Sequence, residues 1–203
     1  MPKYKLTYFN FTARAEPIRF LLSYLNEDFE ENRFEREQWP TIKPSMPFGQ
    51  VPVLEVDGKL LNQSVAICRY LAKKASLAGE DEWESLLIDI AVDNIFEIRQ
   101  DIMKNFHEPD GEVKIKKKEL LVKETIPFYI ERFEKIVSEN GGYFVNGKLS
   151  WADLYFVSIL DHIKVVTNVD MVDGCTNLSK LKQTVLNIPQ IQSWIAKRPG
   201  PIF

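Results

Sequence analysis

From Lys3 to Tyr8 apolar and polar residues alternate, with Tyr4, Leu6 and Tyr8 on one face and Lys3, Lys5 and Thr7 on the other. A period of two predicts a strand with one buried side. After the loop Asn10-Phe11-Thr12 the period lengthens. Ala15, Ile18, Leu22 and Leu25 share one side of a helix, and Pro17 fits only in its first turn, where the missing N–H loses no bond. A weaker strand is predicted over Phe29–Phe34. Between Gln38 and Phe48, Pro40, Pro44 and Pro47 restrict any helix to short, irregular turns. Val51–Val56 and Lys59–Leu61 flank Asp57-Gly58, a dipeptide suited to the positive φ values of a tight hairpin turn. Asn62-Gln63-Ser64 then opens a helix through Leu71, with Ser64 as its expected N-cap.

The order β-α-β-α-β-β-α predicts a sheet with an antiparallel last hairpin, backed by helices. Ala75–Asp81 reads as a linker. Beyond it Trp83, Leu87, Ile90, Asn94, Ile98 and Ile102 step by threes and fours, which predicts a helix of about six turns. Leu120–Val137 predicts another, kinked at Pro127 and closed by Gly141-Gly142. Ser150–Val166, Leu178–Leu186 and Pro189–Lys197 supply three more. The expected fold class is therefore α/β followed by all-α, with domains at 1–78 and 79–203.

Charge and cysteine content narrow the function. With 26 Lys and Arg against 29 Asp and Glu, the chain carries −3 and lacks the basic excess of a nucleic-acid binder. Cys68 and Cys175 are too few for a disulfide framework and lack metal-ligand or CxxC spacing. No apolar run approaches the length of a membrane span, and the start lacks the apolar segment of a signal peptide. The expectation is a soluble cytoplasmic protein with no nucleic acid and no membrane as partner.

Several positions offer chemistry, each beside a plainer reading. Val51-Pro52 precedes the hairpin strand: in trans the proline is an edge-strand residue, and in cis it would turn the Val51 backbone outward to pair with an extended peptide. Gln63-Ser64 is either an ordinary cap or a carboxylate site at a helix N-terminus. Trp39 and Lys43, four apart, could present an indole N–H and an ammonium to one small anion. Tyr8 closes the first strand, where its phenol could donate to a thiolate without ionising, reinforced by Arg14; the alternative is a half-buried aromatic. Ser150 and Asp153 read as a capping box stapled by Leu149 and Leu154, not as half of a hydrolytic dyad. His107 and His162 are isolated and read as surface or packed residues.

Tyr8, Arg14, Trp39, Lys43, Gln50-Val51-Pro52 and Gln63-Ser64 together resemble the glutathione-site pattern of cytosolic glutathione transferases. The similarity runs the length of the chain. Leu149–Leu154 resembles that family's capping motif, and Trp194–Pro199 its terminal segment. The tyrosine at the activating position and the string Pro47–Gly58 look most like the sigma class, which includes invertebrate transferases and the haematopoietic prostaglandin D synthase.

The resemblance implies a thioredoxin-like N-terminal domain followed by an all-helical domain, working as a homodimer with glutathione as co-substrate. Pro52 would be cis, and Val51 would pair with the cysteinyl unit. Gln63 and Ser64 would hold the γ-glutamyl carboxylate, and Trp39, Lys43 and Gln50 would face the glycyl end. Tyr8, aided by Arg14, would stabilise the thiolate. Glu97 would reach the α-amino group of glutathione on the partner subunit. Phe9, Phe11, Ala13, Arg14, Arg99, Tyr155, Ile159 and Phe203 match positions that line the electrophile pocket in relatives, and interdomain packing is the other reading of Tyr155 and Ile159. Asp93, Glu97 and Asp101 fall where the prostaglandin synthase binds a divalent ion, but Phe96 takes the middle position, so no metal is expected. The implied activity is conjugation of glutathione to small apolar electrophiles such as lipid-peroxidation aldehydes. The alternatives are prostaglandin isomerisation, disfavoured by the absence of Trp from Gln100–Phe106, and a non-catalytic, crystallin-like role.

Overall fold

The structure, a computed structural model, describes residues 3–199. Its sheet has the order β2-β1-β3-β4, built from β1 (Tyr4–Phe9), β2 (Phe29–Phe34), β3 (Val53–Val56) and β4 (Lys59–Leu61). β1 runs parallel to β2, Tyr4 facing Phe29, and antiparallel to β3, Tyr4 facing Val56. A parallel pair needs a crossover, and α1 (Glu16–Tyr24) provides it with Pro17 in its first turn. The central place of β1 explains why Tyr4, Leu6 and Tyr8 are all buried. At the hairpin, Asp57 and Gly58 have φ of 50° and 79°, the paired positive values of a two-residue turn whose twist suits the strands. The Pro-rich stretch forms only the one-turn α2 (Trp39–Ile42) between 3₁₀ turns.

α3 (Ser64–Lys74) corrects one expectation. Its N-cap is Gln63, at φ 70°, and Ser64 is the first helical residue, with no side-chain capping bond.

The remaining helices are α4 (Glu82–Phe106), α5 (Glu112–Leu120), α6 (Ile126–Glu139), α7 (Trp151–Thr167), α8 (Thr176–Leu186) and α9 (Pro189–Lys197). On α4 the buried stripe is Ile88, Val92, Ile95, Ile98, Arg99 and Ile102, whereas Trp83 and Ile90 of the expected face are exposed. This helix carries apolar residues on two sides, and packing against α7 selects one of them. The helix expected from Leu120 begins at Glu112, in a lysine-rich turn without buried residues. The disturbance expected at Pro127 is a π-helical turn over Leu121–Thr125. Widening the turn there relieves the clash between the proline ring and the carbonyl four residues back, at Lys123.

α7 is the centre of the helical half, buried on nearly every side and packed against α1, α4 and α8. Its capping box forms: the Ser150 N–H donates to Asp153 Oδ2 at 2.7 Å, and the Phe144 N–H donates to Oδ1 at 2.9 Å. Burial outweighs these bonds and lifts the Asp153 pKa to about 6.

A buried polar hub ties the two halves together. The Glu16 carboxylate accepts from Arg19 Nη1 at 3.1 Å, from Trp194 Nε1 at 2.9 Å and from Arg198 Nη1 at 3.1 Å. Arg19 also donates to Glu31 at 2.7 Å and to the Phe11 and Thr12 carbonyls at 3.0 and 3.3 Å. The loop between β1 and α1 is thereby fixed from α9.

Candidate active site

Two hollows meet at the end of β1. The larger, about 430 Å³, is lined by Tyr8, Phe9, Phe11, Ala13, Arg14, Arg36, Trp39, Val51, Arg99, Met103 and His107. The smaller, about 160 Å³, is lined by Arg14, Gln50, Val51, Pro52, Asn62, Gln63, Ser64, Val65, Asp93 and Phe96. Arg14 and Val51 belong to both.

The larger hollow owes its apolar wall to the last two residues of β1 and the turn after it. Phe9 and Phe11 stack at 5.4 Å and 2°, Phe9 packs on Trp39 at 5.5 Å, and Tyr8 meets both phenylalanines edge-on. Such offset and edge contacts are favoured by the ring quadrupoles. The Tyr8 oxygen accepts from the Arg14 backbone N–H at 3.4 Å, which leaves its own proton to be donated. Burial pushes the Tyr8 pKa up, and the pull of Arg99, of the Arg14 N–H and of the Arg14 and Arg19 charges does not offset it. Tyr8 is therefore a neutral phenol at pH 7, a donor toward any anion placed beside it.

The smaller hollow is polar. The Val51-Pro52 bond is cis, and ladder pairing with β1 begins two residues later, at Val53. Ser64, at the N-terminus of α3, sits where free backbone N–H groups and the helix dipole favour a carboxylate. Asp93 supplies the one acid among the described lining residues, a counter-charge for an amine.

Of the expected glutathione-site residues, Gln50, Val51, Pro52, Gln63 and Ser64 gather in this hollow, joined by Arg14. Tyr8 and Trp39 lie on the larger side. Lys43 lines neither; its side chain lies along Gly49, within 3.2 Å of where a Cβ there would stand. Glu97 is outside both and accepts from the Tyr129 hydroxyl at 2.9 Å. Phe9, Phe11, Ala13, Arg14 and Arg99 do line the larger hollow. Tyr155 and Ile159 do not: both are buried in α7, Tyr155 edge-on to Trp151 at 6.1 Å. Phe203 lies outside the described residues. Asn62, Val65, Asp93, Phe96, Arg36, Met103 and His107 also line the hollows, a placement the sequence analysis did not give them. Asp93 and Phe96, three apart on one helix face, carried a spacing signal; His107 carried none.

Among the described residues no group of three metal-ligating side chains converges, and no helix is long and apolar enough to cross a membrane. Cys68 is sealed in the core and burial pushes its thiol pKa up, so it is not a nucleophile.

The family model of the glutathione S-transferase N-terminal domain matches residues 4–73, and that of the C-terminal domain matches residues 96–198. A glutathione S-transferase of Anopheles gambiae is 49% identical over 199 residues, 98% of each chain. The human hematopoietic prostaglandin D synthase is 38% identical over 202 residues, again 98% of each. The solved structure of prostaglandin synthase D of Nilaparvata lugens has a TM-score of 0.94 at 53% identity, covering 98% of this chain and 100% of that one.

Proposed function

The chain belongs to the glutathione S-transferase family, and from that premise we propose that it joins the glutathione thiolate to small apolar electrophiles where its two hollows meet. The observation that carries this reading is the neutral, buried Tyr8 phenol in the aromatic hollow, bonded to the backbone of Arg14, a residue that also lines the polar hollow. Gln63, Ser64 and the N-terminus of α3 hold the γ-glutamyl carboxylate, Asp93 faces the polar hollow as counter-charge, and Val51 pairs with the cysteinyl backbone. Trp39, Lys43 and Gln50 serve the glycyl end.

Tyr8 donates its hydrogen bond to the sulfur and so favours the anion, while the thiol proton leaves to water. With an alkenal, the sulfur pair forms a C–S bond at the β-carbon and the π pair moves to the carbonyl oxygen. Water then protonates the enolate. Arg14, common to both hollows, adds positive charge beside the sulfur. Holding the partners together supplies much of the acceleration.

A homodimer in the cytoplasm is part of the reading. Trp83, Leu86 and Ile90 expose an apolar side of α4, Phe48 is 88% exposed, and a groove of about 520 Å³ runs between β4 and α3. Exposed apolar surface of this kind supports association, and both cysteines are free. Prostaglandin isomerisation is a second reading, supported by the likeness to the Nilaparvata lugens prostaglandin synthase D. A panel of halo-nitrobenzene, an alkenal and prostaglandin H₂, each with glutathione, separates the readings. Turnover of the first two supports conjugation, and turnover of prostaglandin H₂ alone supports isomerisation. Glutathione binding without turnover of any would overturn both in favour of a crystallin-like role.

A further inference from the structure

Arg99 stands apart from the other buried charges. It is 2% exposed, it lines the aromatic hollow, and its Nε and Nη1 have no hydrogen-bond partner among the described residues. Arg19, equally buried, has Glu16 and Glu31; Asp153 has Ser150 and Phe144. Around Arg99 the interacting groups are Tyr8, Tyr155, Arg14 and His162, and none is an acid. No carboxylate lines the hollow either, while Arg14, Arg36 and Arg99 all do. An isolated buried charge is strongly disfavoured unless something supplies its counter-ion.

The rest of the hollow says what that something looks like. Phe9, Phe11, Trp39 and Met103 call for an apolar body, and a single guanidinium at the α4 wall calls for a single negative charge. We propose that Arg99 is a specificity-determining residue that binds the carboxylate of the second substrate, which is an amphiphilic acid: an apolar electrophile ending in a carboxylate, as oxidised fatty acids do. The proposal rests on reading this hollow as the electrophile site. It narrows that reading from neutral to anionic electrophiles. A carboxylate there makes charge-assisted hydrogen bonds shielded from water, the setting in which they are strongest.

Ethacrynic acid and its methyl ester test this, since they share one enone and differ in the charge. In both, the thiolate adds to the terminal methylene carbon, the π pair passes to the ketone oxygen, and water protonates the enolate. The full-length enzyme with glutathione is expected to favour the acid in kcat/KM by at least about tenfold, the scale of one charge-assisted bond. In Arg99→Leu the acid-to-ester ratio should fall to about one through the KM of the acid, and Arg99→Lys should restore part of it. A ratio near one in the parent, or unchanged in Arg99→Leu, overturns the proposal. If halo-nitrobenzene is turned over in that case, the transferase reading still stands.

Calorimetry with laurate and dodecanol needs neither turnover nor a foldable leucine variant. Laurate should bind the parent at least about tenfold more tightly than the alcohol. Equal binding overturns the assignment. If glutathione yields no product with any electrophile, the conjugation reading fails while this measurement still decides the role of Arg99.

Discussion

Replacing Tyr8 by Phe removes one oxygen and keeps the ring in its packing, edge-on to Phe9 and Phe11 at 5.7 and 5.5 Å. That oxygen accepts from the Arg14 N–H at 3.4 Å, so the phenol proton is available to the sulfur. A hydrogen bond to a charged group contributes about 1.5–3 kcal/mol, and one pKa unit corresponds to about 1.4 kcal/mol. Tyr8→Phe should therefore raise the pKa of the bound thiol by about one to two units, toward the ~8.5 of a free thiol. Below both pKa values, near about pH 6, the thiolate fraction and kcat/KM should fall about 10- to 100-fold. Well above both, ionisation is complete in either enzyme and the two rates should converge. Ultraviolet titration of the bound thiolate measures the shift, and the pH profile of kcat/KM measures its effect. Superimposable titrations, or a rate loss constant across the pH range, would refute the reasoning, because the first removes the shift and the second assigns Tyr8 to orientation alone.

Ser64→Ala should weaken glutathione binding by about 1.5–3 kcal/mol, and unchanged affinity by calorimetry would remove Ser64 from the site. Glu16→Gln leaves Arg19 with Glu31 as its sole ion-pair partner among the described residues; breaking one side of so buried a pair should lower stability by about 3–5 kcal/mol. A urea midpoint equal to the parent's at the same slope would count against the hub. His162 is kept neutral by burial and then by Arg99, its pKa drawn down to about 4. An unfolded imidazole takes its proton near pH 6.5, so this contribution is whole above that pH and is lost as pH falls toward 4, about 3 kcal/mol in all. His162→Gln should flatten that limb of the stability curve, and a slope equal to the parent's in urea melts across the window would disprove it.

The sheet was readable from local pattern because each of its signals is local. The alternation at Tyr4, Leu6 and Tyr8, Pro17 in a first turn, and Asp57-Gly58 at the hairpin all appear where expected. What escaped is decided at a distance. α4 bears apolar residues on two sides, and only contact with α7 selects Ile88, Val92 and Ile95 over Trp83 and Ile90. Tyr155 and Ile159 belong to a helix buried on nearly all faces, so their composition could not say whether they faced a hollow or a neighbour. The cap at Gln63 was hidden because a positive φ at a non-glycine residue has no signature in composition. Asp93 and Phe96 read as one polar and one apolar position on a long helix, and it is the approach of that helix to the end of β1 that brings them to the site.

Arg14 and Val51 form a partition common to both compartments, and this bears on what happens after the bond is made. In the proposed reaction the two reactants arrive as separate molecules, each retained by one compartment. The adduct is one molecule gripped on both sides of the partition, so letting go of either end leaves the other to pull it back, as with any two-point tether. On the proposed reading, the adduct therefore leaves more slowly than either reactant would alone.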